Sequence, residues 1–312
     1  MPKYVTFTVR ARYSAPGAAT LRAMDQLRVT ANGVDFAYLA DGPEDGPLAL
    51  CLHGFPDTAH SWRHLLPELA AAGYRAVAPF QRGYAPTSIP ADGRYDTGTL
   101  ALDACALHEA LGGDGRAVII GHDWGAFATY GAAAYQPERW HRVVTAAVAP
   151  QASMADGFFS FGQLKRSWYV FFFQTALAEY AVSLDDYAFI DRLWSDWSPG
   201  FDGTTDVALV KEALAGPERL TAAISYYRAM FAGSPEDPDA AAAQAASGTI
   251  GPQPTLYVHG DADGCMGIDT IGPVTDFLSP GSEMVVIEGA GHFMQVERPD
   301  EFNGHVLRFL EG

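Results

Sequence analysis

The chain has 312 residues, of which 48% are hydrophobic, so it is long enough to bury one large core or two small ones. Its 20 basic and 37 acidic side chains give a formal net charge of −17, which argues against nucleic acid or an anionic membrane surface as a partner. The three cysteines, Cys51, Cys105 and Cys265, are odd in number and lack metal-type spacing, which favours a reducing compartment over a disulfide framework.

The beginning of the chain does not resemble a signal peptide, because residues 1–6 alternate between apolar and polar side chains. We interpret residues 1–24 as a poorly patterned lead-in. The densest apolar run, residues 168–178, is flanked by charged residues and is shorter than the roughly 20 residues that span a bilayer. We therefore expect a soluble, cytoplasmic protein.

Strands and helices alternate through the first half of the chain. An Asn32-Gly33 turn separates two short alternating segments, which predicts a β-hairpin because both turn positions tolerate positive φ. Residues 48–52 are apolar throughout, as expected for a central strand covered on both faces. The later predicted elements are a helix at 62–72, a strand at 75–78, a helix at 100–111, a strand and helix at 118–130 and a strand at 142–148. This alternation predicts an α/β fold with a mostly parallel central sheet and helices on both faces.

The segment between residues 151 and 245 differs from its surroundings, because it is crowded with aromatic residues and has no strong strand pattern. We interpret it as a helical cap inserted into the sheet domain. Strand patterns return at 255–258 and 284–287, and a terminal helix is predicted at 300–310. The predicted organisation is a lead-in (1–24), a first part of the core (25–150), the cap (151–245) and a second part of the core (246–312).

Two glycines, Gly121 and Gly125, flank Asp123 at the predicted junction between a strand and a helix. A strand that turns at once into a helix crowds its neighbours, so small residues are needed there, and the residue at the apex is exposed at the carboxyl end of the sheet. This is the pattern of the nucleophile elbow, Gly-x-Ser-x-Gly, with aspartate in place of serine. Two backbone donors and the helix N-terminus are expected to favour the ionised carboxylate.

Two later loops at strand ends carry the ionisable partners that such a nucleophile needs. Residues 258–264 contain Asp261 and Asp263, and residues 288–293 contain His292. The order of nucleophile, acid and histidine along the chain is the order of the α/β-hydrolase triad. We assign the acid to Asp263 and keep Asp261 as the alternative.

The loop at residues 53–57 follows the strand that is expected to lie beside the elbow strand. In that arrangement the backbone N–H groups of Phe55 and Trp124 point at an oxyanion. Loops at the carboxyl ends of parallel strands converge on one crevice, where α/β sheets bind their ligands.

From residue 27 to residue 310 the chain resembles the α/β-hydrolases, and within them the soluble epoxide hydrolases with an aspartate nucleophile. The resemblance is carried by His53-Gly54-Phe55-Pro56, Ser61-Trp62-Arg63, Arg82-Gly83-Tyr84, Gly121-His122-Asp123-Trp124-Gly125, Gly260-Asp261-Ala262-Asp263 and Gly291-His292-Phe293. These motifs are specific for the fold and the aspartate subgroup. They are less specific for the reaction, because the subgroup also contains dehalogenases.

The resemblance implies two cap tyrosines that hydrogen-bond the oxygen of an epoxide. Tyr169 matches the first, because it precedes a Phe173-Gln174 pair by four residues. Tyr227 matches the second, in a Tyr-Tyr-Arg sequence where the family usually has Trp-Tyr-Arg, and its neighbour Tyr226 is the alternative. The family's Pro-Gly after Phe-Gln is missing, and Phe80-Gln81 stands where an aspartate-containing sequence is common. Both departures leave the choice of substrate open.

The implied reaction converts a small apolar epoxide and water into a vicinal diol. Asp123 attacks a ring carbon, the two tyrosines stabilise the alkoxide, and His292 with Asp263 activates the water that cleaves the resulting ester. No metal and no organic cofactor is required, and we expect a monomer or a homodimer. The residues expected to line the substrate pocket are His53, Pro56, Trp124, Phe172, Phe173 and Phe293.

Two other functions remain to be weighed against this reaction. A haloalkane or haloacid dehalogenase would share Asp123 and His292, but haloalkane dehalogenases usually have asparagine at the position of Phe55. Haloacetate dehalogenases use cap arginine and histidine contacts that have no evident counterpart in this sequence. A non-catalytic ligand-binding protein on the same scaffold would be expected to lose a triad residue, and none is lost.

Overall fold

The computed structural model describes residues 26–155 and 157–312. The lead-in predicted at residues 1–24 lies outside the described residues. Within the described part of the chain, no helix combines the length and the apolar character that crossing a membrane requires.

An eight-stranded sheet forms the centre of the described structure. Its strands are β1 (Gln26–Ala31), β2 (Val34–Asp41), β3 (Leu48–Leu52), β4 (Arg75–Pro79), β5 (Ala117–His122), β6 (Trp140–Ala146), β7 (Thr255–Gly260) and β8 (Glu283–Ile287). They follow the order β1-β2-β4-β3-β5-β6-β7-β8. Strand β2 pairs antiparallel with β1 and β4, and all other neighbouring strands are parallel. The predicted mostly parallel sheet is confirmed.

Local sequence explains both the hairpin at one edge of the sheet and the buried strands at its centre. The β1–β2 hairpin turns at Asn32 and Gly33, whose φ angles of 44° and 73° are those that the Asn-Gly pair tolerates. Every residue of β3 and of β5 is buried, in agreement with their continuous apolar sequences. The centre of the sheet is therefore covered on both faces.

Twelve helical segments accompany the sheet in the described residues, and the seventh of them is interrupted by a kink with non-helical backbone angles at residues 184–187. They are α1 (Leu65–Ala71), α2 (Thr97–Ala110), α3 (Trp124–Tyr135), α4 (Gln151–Met154), α5 (Phe161–Arg166), α6 (Trp168–Phe172), α7 (Ala178–Trp197), α8 (Thr204–Ala213), α9 (Pro217–Ala229), α10 (Pro238–Ala246), α11 (Met294–Glu297) and α12 (Pro299–Glu311). Helices α1 and α12 pack together as one group, and α2, α3 and α10 pack together as another. Both groups contact the sheet.

The helical insertion between β6 and β7 contains α4 to α10, but its last helix belongs with the core. Helix α10 packs against α2 and α3, and a Cβ atom added to Gly98 of α2 would lie 1.9 Å from the carbonyl oxygen of Ala240. The glycine is what permits this close approach. The cap boundary predicted at residue 245 therefore falls inside a helix of the core layer, because an alanine-rich helix gives no sequence signal of which domain it packs on.

Candidate active site

Asp123 lies at the sharp turn between β5 and α3. Its φ of 53° is in the left-handed region, which is uncommon for a residue with a side chain. A Cβ atom on Gly121 would lie 2.2 Å from the carbonyl oxygen of Gly125, and one on Gly125 would lie 2.0 Å from that of Leu52. The two flanking glycines are thus sterically required, as the elbow pattern predicts.

The carboxylate of Asp123 faces backbone donors. Its Oδ1 accepts a hydrogen bond of 2.7 Å from the N–H of Phe55, and the N–H of Trp124 also bonds it. Burial raises the pKa of Asp123 above its ordinary value, and the opposing effects of His292, Phe55 and Trp124 do not cancel that rise. The two backbone donors favour the ionised form, as expected from the sequence, but the desolvation of the buried carboxylate is the larger effect.

His292 lies between two carboxylates. Its Nδ1 is 3.0 Å from Oδ2 of Asp263, and its Nε2 is 3.8 Å from Oδ2 of Asp123. Burial lowers the pKa of His292, but the charges of Asp263 and Asp123 and the hydrogen bond to Asp263 outweigh burial, so the net pKa is raised. Nε2 has no hydrogen-bond partner among the described residues. This nitrogen is therefore free to bond a ligand.

The structure distinguishes the two candidate acids. Asp263 is buried, and its Oδ1 accepts hydrogen bonds from the N–H groups of Cys265 and Met266 at 2.7 and 2.8 Å, which leaves Oδ2 for His292. Asp261 is exposed and accepts a bond of 2.6 Å from the N–H of Gly289 instead. Only Asp263 is brought to the histidine.

Two cap tyrosines, Tyr169 of α6 and Tyr227 of α9, face the same space as Asp123. Both are buried, and their ring centroids lie 5.5 Å apart. The hydroxyl of Tyr169 is 3.3 Å from Sγ of Cys265, whereas that of Tyr227 has no hydrogen-bond partner among the described residues. The neighbouring Tyr226 points elsewhere, since its hydroxyl donates to the carbonyl of Arg82 at 2.8 Å. Tyr227, and not Tyr226, is brought to the site.

A cavity of about 380 Å³ joins Asp123, Tyr169 and Tyr227. Most of its wall is apolar side chain, supplied by α3, the end of β6 and the cap. The apolar lining includes Trp124, Phe127, Val148, Met154, Phe158 and Val170. Three large apolar lining residues are also exposed to solvent and mark the opening, namely Phe159, Met230 and Phe231.

Of the predicted pocket residues, only Trp124 lines this cavity. His53 is buried behind the site, where its Nε2 accepts a hydrogen bond of 2.9 Å from the N–H of Gln81. The carbonyl of Pro56 accepts a bond of 2.8 Å from the indole N–H of Trp194. Both residues support the loop that presents Phe55, and neither lines this cavity.

None of the three predicted phenylalanines lines the cavity. Phe173 is fully buried, with its ring centroid 5.7 Å from that of Tyr169, so it supports the tyrosine from behind. Phe172 packs on Phe189 at 6.1 Å between centroids. Phe293 stacks on Trp194 at 3.6 Å between centroids. Proximity in sequence to Tyr169 and His292 did not place these side chains in the pocket, because neighbours in a helix or turn point in other directions.

Several lining residues were missed from the sequence. Phe127 follows Asp123 by four residues, and on a helix that spacing places it on the same face as the elbow, so its pattern offered a usable signal. Met154, Phe158 and Met230 come from cap segments whose position over the sheet depends on tertiary packing. No local pattern separated them from the other apolar cap residues.

Asp263, Cys265 and His292 form the one group in the described chain whose side-chain types and spacing, within 4.8 Å, would suit a metal ion. The hydrogen bond between His292 and Asp263 already accounts for this proximity. The thiol of Cys265 contacts the hydroxyl of Tyr169. The arrangement as a whole offers a carboxylate nucleophile, a histidine–carboxylate pair, two tyrosine hydroxyls and two backbone N–H groups around an apolar cavity.

The fold and the site define the class of protein to which this chain belongs, and a comparison with known protein families identifies the same class. Residues 47–299 match the model of the alpha/beta hydrolase fold family. The chain belongs to this family.

Its similar relatives include several epoxide hydrolases. The chain is 30% identical to Epoxide hydrolase A of Mycobacterium tuberculosis, over 95% of this chain and 98% of the relative. It is 30% identical to Epoxide hydrolase 1 of Caenorhabditis elegans, over 93% of this chain and 71% of the relative. Among solved structures, Epoxide Hydrolase A from Mycobacterium thermoresistibile superposes with a TM-score of 0.75 at 26% identity, covering 93% of this chain and 99% of that chain.

Proposed function

We propose that the protein is an epoxide hydrolase that converts small apolar epoxides to vicinal diols through an ester on Asp123. The observation that carries the proposal is that Asp123, Tyr169 and Tyr227 line one apolar cavity. An epoxide held there has a nucleophile on one side and two hydroxyl hydrogen-bond donors on the other. The epoxide hydrolases among the relatives support the same reaction.

In the first half of the reaction, a carboxylate oxygen of Asp123 attacks a ring carbon and the carbon–oxygen bond of the epoxide breaks. Tyr169 and Tyr227 donate hydrogen bonds to the oxygen that leaves, and one of them transfers a proton to it. The burial that raises the pKa of Asp123 also removes its hydration, which makes the carboxylate a more reactive nucleophile once it is ionised. The product of this step is a hydroxyalkyl ester.

In the second half, water hydrolyses the ester. Nε2 of His292 takes a proton from a water molecule, which attacks the acyl carbon of Asp123, while Asp263 orients the imidazole and stabilises its charge. The negative charge on the carbonyl oxygen is stabilised by the N–H groups of Phe55 and Trp124, which already bond the carboxylate. The bond between the acyl carbon and the substrate oxygen then breaks, the imidazolium of His292 returns its proton to that oxygen, and the diol leaves. The proton of the regenerated Asp123 carboxyl passes back to the tyrosine that protonated the epoxide oxygen, so the net reaction adds one water molecule.

We also propose that the enzyme acts in the cytoplasm on aryl or alkyl epoxides. The three cysteines are free and buried, which suits a reducing compartment. Most of the cavity wall is apolar, which suits apolar substituents on the epoxide. The opening of the cavity lies between Phe159, Met230 and Phe231.

The test is a product analysis of the purified chain with styrene oxide and a series of alkyl epoxides, alongside haloalkanes and haloacetate. We expect diol from the epoxides and no halide release, and no diol from the Asp123→Asn variant. Halide release without diol formation would assign the site to a dehalogenase. Binding of the epoxides without turnover in the unmutated chain would indicate a ligand-binding protein.

A further inference from the structure

The loop that carries His292 is held at the residues on both sides of it. The N–H of Gly291 donates to Oε2 of Glu297 at 2.8 Å, and the N–H of Phe293 donates to Oγ of Ser198 at 3.2 Å. One acceptor precedes the histidine loop in the chain and the other follows it: Ser198 comes directly after α7, and Glu297 ends α11.

The two acceptors are themselves joined. Oγ of Ser198 donates to Oε1 of Glu297 at 2.6 Å while it accepts from the backbone of the histidine loop. Ser198 is completely buried, so its hydroxyl is shielded from water. A hydroxyl with both roles occupied in a buried site has one orientation, and the glutamate is fixed with it.

The carbonyl of Trp197 adds a third fixed point. It accepts the N–H of His292 at 2.9 Å and the N–H of Gly264 at 3.0 Å, so one oxygen ties the histidine loop to the loop of Asp263. Both loops approach this segment too closely for a side chain. A Cβ atom on Gly291 would lie 2.5 Å from Cα of Ser198.

The same segment reaches the cap side of the cavity. The ring centroid of Trp197 lies 4.9 Å from that of Tyr169 and 5.1 Å from that of His292. The end of α7 is therefore packed between a cap tyrosine and the imidazole.

We propose that Ser198 and Glu297 are positioning residues for His292 that act in the hydrolysis of the ester and not in its formation. The proposal rests on the proposed function. Nε2 of His292 must meet a water molecule that also reaches the acyl carbon of Asp123, and a small rotation of the loop removes that alignment. Asp123 is held independently, by the elbow and by the N–H of Phe55, so attack on the epoxide does not depend on Ser198 or Glu297.

The test compares the two half-reactions in four variants. Ser198→Ala and Glu297→Ala each remove an acceptor, Glu297→Gln keeps one oxygen acceptor, and Ser183→Ala is the matched control, since Ser183 is an exposed cap serine that bonds only the carbonyl of Tyr180 among the described residues. Rapid mixing with excess epoxide, followed by quenching and mass measurement of the intact protein, gives the rates of ester formation and loss.

We expect Ser198→Ala and Glu297→Ala to form the ester at a rate within about twofold of the unmutated chain and to hydrolyse it about tenfold more slowly, so that the ester accumulates. Glu297→Gln should recover most of the hydrolysis rate. A general loss of structure would slow both steps together or leave no folded protein. Equal rates of hydrolysis in the unmutated chain, Ser198→Ala and Glu297→Ala would overturn the proposal.

A second measurement requires no substrate and separates this proposal from the proposed function. The proton between Nδ1 of His292 and Asp263 gives a downfield NMR resonance, assigned by its loss in His292→Gln. We expect faster solvent exchange of this proton in Ser198→Ala and Glu297→Ala, and none of that change in Ser183→Ala. An unchanged resonance would overturn the positioning role, whereas failure of the unmutated chain to form an ester with any epoxide would overturn only the proposed function.

Discussion

Nε2 of His292 stands 3.8 Å from Oδ2 of Asp123, beyond hydrogen-bonding distance, and has no other partner in the described chain. The two groups are therefore close enough to act on one small molecule and too far apart to neutralise each other through a shared proton. A water molecule beside them can contact the imidazole and approach the carboxyl carbon. This relationship leads to predictions that separate the two halves of the reaction.

The variant His292→Gln should form the ester and fail to release it. Loss of the general base is expected to slow hydrolysis by about 10³-fold, while alkylation of Asp123 continues because its nucleophile is intact. Intact-protein mass spectrometry after incubation with styrene oxide should show one added substrate mass. Asp123→Asn should show none, and a stable adduct on that variant would place the nucleophile elsewhere.

The two cap tyrosines should govern ester formation. Tyr169→Phe and Tyr227→Phe are each expected to slow alkylation by about 10²-fold, because each removes a donor to the oxygen that leaves the ring. Tyr226→Phe is the matched control, since its hydroxyl bonds the carbonyl of Arg82 outside the cavity. That variant should lose about 1 kcal/mol of stability and keep its alkylation rate. An alkylation rate that falls as far in Tyr226→Phe as in Tyr227→Phe would refute the assignment.

The identity of the acid can be tested through the pH dependence of hydrolysis. Asp263 raises the pKa of His292, so the Asp263→Asn variant should have a lower His292 pKa. The acidic limb of the pH–rate profile for ester hydrolysis should therefore move to lower pH. The maximum rate should fall by about 10²-fold or more, because the amide favours the wrong tautomer of the imidazole. Asp261→Asn should leave both the limb and the maximum in place, since Asp261 bonds only Gly289 among the described residues. The reverse pattern would assign the acid to Asp261.

A further titration concerns stability. Burial raises the pKa of Asp57 to about 7, so the folded state favours its neutral form. A carboxyl whose pKa is higher in the folded state than in the unfolded state stabilises the fold fully below its unfolded pKa, which is near 4. This stabilisation is lost as the pH rises through about 7. The unfolding free energy of the unmutated chain, relative to Asp57→Asn, should therefore fall by roughly 3 kcal/mol between pH 5 and pH 8. Parallel stability curves for the two proteins would contradict this pKa shift.

The predictable parts of the molecule are those whose cause lies within a few residues or in the topology of the sheet. Gly121, Asp123 and Gly125 predict the elbow because the steric demand of the turn is local, and the apolar sequence of β3 predicts its burial. The close approach of Asp263 and His292 followed from the convergence of strand ends in a parallel sheet. These inferences need the topology of the sheet and no detail of side-chain packing.

The wall of the cavity was not predictable, because it depends on packing between distant segments. Phe173 and Phe158 are both aromatic residues of the predicted cap, yet the first supports Tyr169 from behind and the second lines the cavity. Ser198 has no motif around it, and its contact with the histidine loop exists only because the end of α7 reaches that loop. Such roles follow from tertiary contacts alone.

The most direct test of the covalent route is a single turnover of styrene oxide in oxygen-18 water with the enzyme in excess. If Asp123 is the nucleophile, both oxygens of the first diol are unlabelled, and mass analysis of the peptide that contains Asp123 finds the label there. Oxygen-18 in the diol of the first turnover, with an unlabelled Asp123, would mean that water attacks the epoxide directly and would contradict the account.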